Sequence, residues 1–135
     1  MENQNILVID GQGGGIGRQL VEGLRAGLPG AYITAVGTNS AAAAAMLKAG
    51  ATNAATGENA VIVACRSADI IVGPIGIVIA DSLMGEITPK MAVAVGQSNA
   101  KKILIPVNMC NNIIAGVTEL SVGRLIKSVI EQIVG

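Results

Sequence analysis

The chain has 135 residues, half of them apolar (51%), and nine basic side chains balance nine acidic ones. Tyr32 is the only aromatic side chain, so the core must be built from Ile, Val, Leu, Ala and Met. Without excess positive charge or aromatics for stacking on bases, this composition argues against a nucleic-acid partner.

Residues 5–10, NILVID, form a short, continuous, branched apolar run, the pattern of a strand buried on both faces. The period then becomes helical over 15–27: Ile16, Leu20, Leu24 and Leu28 share one face, with Val21 beside them. Gly27-Leu28-Pro29-Gly30 ends that helix, and AYITAV at 31–36 makes a second strand. Asn39 or Ser40 caps an alanine-rich helix over 41–49. A short strand is expected at 52–56, a helix over roughly 57–67 and a buried strand at 69–73. The very apolar 75–84 segment reads as a helix, either internal or a self-association face. Thr88-Pro89 starts another helix, running to about 97. KILIPV at 102–107 is a further strand, and 112–117 a candidate last one. An amphipathic helix over 121–134 closes the chain. Strands alternating with helices predict an α/β fold: a doubly wound, Rossmann-like, mainly parallel sheet of about five or six strands in three layers, in the order 3-2-1-4-5, within a single domain.

The longest uncharged apolar run, 70–80, is too short to span a bilayer and contains Gly-Pro. The start, MENQN, lacks the basic and apolar regions of a signal peptide. Two cysteines, Cys65 and Cys110, and no histidine make neither a disulfide framework nor a zinc site. The expectation is a cytoplasmic protein with reduced thiols and no membrane partner. An apolar excess in so small a chain further predicts a homodimer.

In a doubly wound sheet, ligands sit beyond the carboxyl ends of the strands where the winding reverses. The first strand's loop lies there: Gly11, Gln12, Gly13, Gly14, Gly15, Ile16 and Gly17. Free N–H groups in such a loop, with the dipole of the helix that follows, suit an anion such as phosphate. G-x-G-x-x-G fails because its third position is Ile16, and the P-loop fails because no Lys-Ser/Thr follows. G-x-x-x-G-x-G fits, as Gly11, Gly15 and Gly17.

Over residues 5–28 this loop resembles the nucleotide loop of short-chain dehydrogenases, Ile16 included. The resemblance implies NAD(P) or another nucleotide as ligand. The catalytic Tyr-x-x-x-Lys of that family is missing, as is an acid about 20 residues on for the ribose; Thr38, Asn39 and Ser40 stand there instead. Hydride transfer by this chain alone is therefore not expected, and no catalytic residue is assigned.

Asp10, at the loop's mouth, is unfavourable beside a phosphate unless something compensates. Its candidate roles are accepting hydrogen bonds from the loop amides, contacting a ligand hydroxyl or base, and holding a magnesium ion. It also resembles the nucleophile of haloacid-dehalogenase-like phosphatases, but Gln12 replaces the second acid of their D-x-D. Other loops expected on the same sheet edge carry Gly73, Pro74, Ile75 and Gly76, then Asn108 with Asn111-Asn112, either as a crevice wall or as ordinary turn chemistry.

Together, VIDGQGGGIG, GTNSAA, MLKAGATNAATGENAV, DIIVGPIGIVIADSLMGEITPKMA and KKILIPVN resemble a family of short bacterial proteins known only as a domain of unknown function. That resemblance implies a domain that stands alone and supplies no catalytic residues. The reading is a protein that binds a nucleotide, dinucleotide or phosphorylated metabolite at the glycine loop, as a sensor or accessory protein. The alternatives are an interaction module without a small-molecule ligand and, third, a small enzyme.

Overall fold

A computed structural model describes residues 4–107, 111–118 and 120–135. Strand β1 (Asn5–Asp10) leads into helix α1 (Gly15–Gly27), and β2 (Tyr32–Gly37) into α2 (Ser40–Lys48). Strand β3 (Asn53–Thr56) precedes α3 (Glu58–Ser67), and β4 (Ile70–Pro74) runs into a single 3-10 turn (Ile75–Val78). Helix α4 (Pro89–Gln97), strand β5 (Lys101–Ile105) and helix α5 (Val122–Val134) complete the order. All five strands are parallel, in the order β3-β2-β1-β4-β5. The fold is thus the expected Rossmann-like, three-layer α/β arrangement, with the winding reversing between β1 and β4.

Side-chain alternation along β1 builds both cores. Ile6 and Val8 pack with Leu20 and Leu24 of α1, Met46 of α2 and Leu125 and Val129 of α5. Leu7 and Ile9 face the other way, onto Val61 of α3 and Met91 and Val95 of α4. A period of two in a strand therefore feeds two helical layers. Asp10 falls on the same side as Ile6 and Val8, the side of α1.

Local signals explain most boundaries. The Asn39 side chain accepts from Ala42 N and caps α2, and Thr88 accepts from Met91 N with Pro89 in the first turn of α4. Thr88 Oγ1 also donates to Glu58 Oε2 at 2.6 Å, tying the start of α4 to the start of α3.

Two expectations need correction. The 75–84 segment is not a helix. After the 3-10 turn the chain enters a tight turn in which Asp81, Leu83 and Met84 take positive φ (65°, 54° and 56°). Ile77, Ser82 and Leu83 are buried inside, as is Ile87 just beyond, so the segment is largely core; Ala80, Asp81 and Met84, the last 92% exposed, stand clear. Its apolar character suits burial in any conformation, which is why composition alone misread it. The second correction is that residues 112–117 form no strand. Asn108 and Cys110 lie outside the described residues. Among the described residues, no helix is long and apolar enough to cross a membrane.

Leu20→Ala, at a fully buried position, should cost about 2–5 kcal/mol in denaturant unfolding. Met84→Ala should stay within about 0.5 kcal/mol. A large loss at Met84 would contradict its placement outside the core.

Candidate functional site

The turn from β1 into α1 is held by the acid at its mouth. Asp10 is 3% exposed, and its Oδ2 accepts from Gly17 N at 2.6 Å. A carboxylate at the end of β1 thus satisfies one of the N–H groups left free at the start of α1. Burial pushes the Asp10 carboxyl above its ordinary value of 3.8; bonds from the Gly17 and Gly11 amides oppose the rise, and the charge of Glu86 adds to it.

Within the loop, Gly14 has φ 76°, and a Cβ there would lie 2.7 Å from Ala42 Cα, so only glycine fits. A Cβ at Gly17 would meet Met46 Sδ at 2.5 Å and Asp10 Cβ at 2.8 Å. Gly13 and Gly15 differ: a Cβ on either meets nothing within 4 Å. Gly14 N donates to Gly11 O at 2.9 Å and Gln12 N to a side chain described below. Among the described residues, the N–H groups of Gly13, Gly15 and Ile16 have no hydrogen-bond partner. They border a cleft of about 260 Å³ lined by Asp10, Gly11, Gln12, Gly13, Gly14, Gly15, Ile16 and Gln19.

Thr38 and Asn39, at the end of β2, come to the same place through a residue that sequence reasoning missed. Glu86, in the turn before α4, reaches across the top of the sheet. Its Oε1 accepts from Gln12 N at 2.5 Å, Thr38 Oγ1 at 2.6 Å and Asn39 Nδ2 at 3.3 Å. Asn39 Nδ2 also donates to Gln12 O at 2.8 Å. These donors, the Gln12 amide first, hold the Glu86 carboxyl below its ordinary value of 4.5. The sequence signal was faint: between residues 70 and 89 only Asp81 and Glu86 carry charge.

Gly73, Pro74, Ile75 and Gly76 sit at and beyond the end of β4. A Cβ at Gly73 would lie 2.5 Å from Ile9 O, and Gly76 O accepts from the buried Ser82 hydroxyl. Gly73 thus allows close approach of β4 to β1, and none of the four lines the cleft over the glycine loop. A larger cavity of about 630 Å³ lies between α3 and α4, in the layer opposite α1, with Cys65, Arg66, Lys90 and Val93 among its lining. Burial pushes the Cys65 thiol up to about 11, so it is no nucleophile at neutral pH. Among the described residues no cluster of three or more metal-ligating side chains occurs. The small cleft, bordered by the unpartnered amides of Gly13, Gly15 and Ile16, is the candidate site.

The two carboxylates should respond to pH in opposite directions. Asp10 folds at a raised value, so wild-type stability relative to Asp10→Asn should improve as pH falls from neutral through that value toward 3.8. Glu86 folds at a lowered value, so its advantage over Glu86→Gln should be full above 4.5 and disappear as pH falls through the lower folded value. Urea unfolding of the three proteins from pH 7 to pH 3 reads both trends. Asp10→Ala, which leaves the Gly17 amide without its acceptor, should cost about 1–3 kcal/mol at pH 7.

Searches of curated proteins and of solved structures return no match. A family described as a domain of unknown function (DUF3842) matches residues 5–135. The chain belongs to that family, in agreement with the likeness drawn from its motifs.

Proposed function

We propose that this protein binds the phosphate group of a nucleotide, dinucleotide or phosphorylated metabolite at the glycine loop, in the role of a sensor or accessory protein. The observation that carries this reading is the set of unpartnered N–H groups on Gly13, Gly15 and Ile16 beside open space at the start of α1. Amides in that arrangement, aligned with a helix dipole, favour an anion. Asp10 does not compete for these amides, because its carboxylate is directed to Gly17 N. Glu86 takes the Gln12 amide and leaves the other three.

A second reading treats the loop as architecture alone. Gly14 and Gly17 favour it, since each is required by close packing whether or not a ligand binds.

Thermal unfolding with a panel of phosphate esters separates the two. A ligand at a hundred times its Kd adds about 2.7 kcal/mol, read as a rise of several degrees in Tm. Gly15→Asp places a carboxylate in open space at the first helical position, where it favours the helix but occupies the anion site. The variant should fold with unchanged or higher Tm and lose the ligand-induced rise. A panel without any rise in the wild type leaves the architectural reading standing.

A further inference from the structure

The cavity of about 630 Å³ between α3 and α4 has no part in the glycine-loop reading and stands apart from it. Its size falls within the roughly 300–1,000 Å³ usual for small-ligand sites. Helical period builds it: Ile62, Cys65 and Arg66 share one side of α3, and Lys90, Val93 and Ala94 one side of α4. The two helices are tied at both ends. Thr88 bonds Glu58 where they start, and Ser98 Oγ donates to Cys65 O at 3.0 Å where they finish. The groove between them is therefore preformed.

Its apolar surface and its charges are arranged separately. Cys65 is buried and keeps its proton at neutral pH, so it behaves as a small apolar side chain. The Ser98 hydroxyl, besides donating to Cys65 O, accepts from Ala100 N at 3.1 Å. Both charged side chains of the lining, Arg66 and Lys90, are basic. Among the described residues neither has a hydrogen-bond or ion-pair partner. The acids at the two ends of α3 are engaged elsewhere, Glu58 with Thr88 and Asp69 with Asn5 N at 2.8 Å. Lys102 adds positive charge at the Arg66 end: its Nζ donates to Ser98 O at 2.6 Å, and its charge reaches the Cys65 thiol.

An apolar trough with unpaired cations and no acid in its lining is complementary to an anion with an apolar body. A second copy docked face to face would instead bring these cations against their own counterparts. The nine residues of α4 run about 13 Å, which accommodates an extended octanoate. We propose that this groove binds a small carboxylate with an unbranched apolar tail, its head at Arg66 and its tail along α4 past Val93.

Calorimetric titration of the whole chain with octanoate, butyrate and octylammonium tests this. Each methylene buried adds up to about fourfold in affinity, so octanoate should bind at least about tenfold more tightly than butyrate. Octylammonium, with the same tail and the opposite charge, should not bind. Arg66→Gln should weaken octanoate by about two- to fivefold, the worth of an exposed ion pair. Val93→Glu, at a position 52% exposed, should keep the wild-type Tm and abolish octanoate binding. Absence of octanoate binding overturns the proposal, as does equal affinity for octanoate and either of the other two probes. Unchanged octanoate affinity in Arg66→Gln or Val93→Glu overturns it as well. A dimer in light scattering that Val93→Glu dissociates would make this face an interface between copies and overturn it too. None of these outcomes bears on phosphate binding at the glycine loop.

Discussion

The turn between β1 and α1 depends on the hydrogen bond from Gly17 N to Asp10. A parallel strand that enters a helix within four residues must find acceptors for the first helical amides, and few are at hand. Asp10, ending β1 on the α1 side, provides one from inside the protein. Its burial is the cost: the charged form is disfavoured there and depends on the amides that hold it. With the acid committed to Gly17, the amides at 13, 15 and 16, in residues that line the cleft, are left without a partner among the described residues.

A second acid completes the arrangement from the other side. Glu86 ties the glycine loop to the end of β2 and links both to the turn that follows β4. The three loops of the switch point are thereby joined through one carboxylate. The glycines divide accordingly. Gly14 and Gly17 allow close packing against α2, whereas Gly13 and Gly15 bring no neighbour near. Packing accounts for the first pair. The second pair, beside free amides, is where the ligand is proposed.

The sheet was legible because its signals are local. Branched apolar runs at β1, β2 and β4, the Asn39 and Thr88 caps and the amphipathic stripes of α1 and α5 each act within a few residues. The short strand expected at 52–56 is β3, Asn53–Thr56. The 75–84 segment was misread because uniform hydrophobicity reports burial without period, and the positive-φ turn that Leu83 and Met84 adopt has no propensity signature. Of the site, Asp10 and the loop were visible in sequence, with an amide acceptor among the roles expected for Asp10. Glu86 was not, because it reaches Gln12 from 74 residues away along the chain. The acid sought near the end of β2 is supplied to that place by another loop.

Backbone amide chemical shifts during a titration with a phosphate ester test the central claim most directly. The account predicts that the amides of Gly13, Gly15 and Ile16 move together and saturate at one concentration. Those of Gly17 and Gln12, already bonded to Asp10 and Glu86, should move far less. Shifts confined to the α3–α4 cavity, or none at the glycine loop, would contradict it.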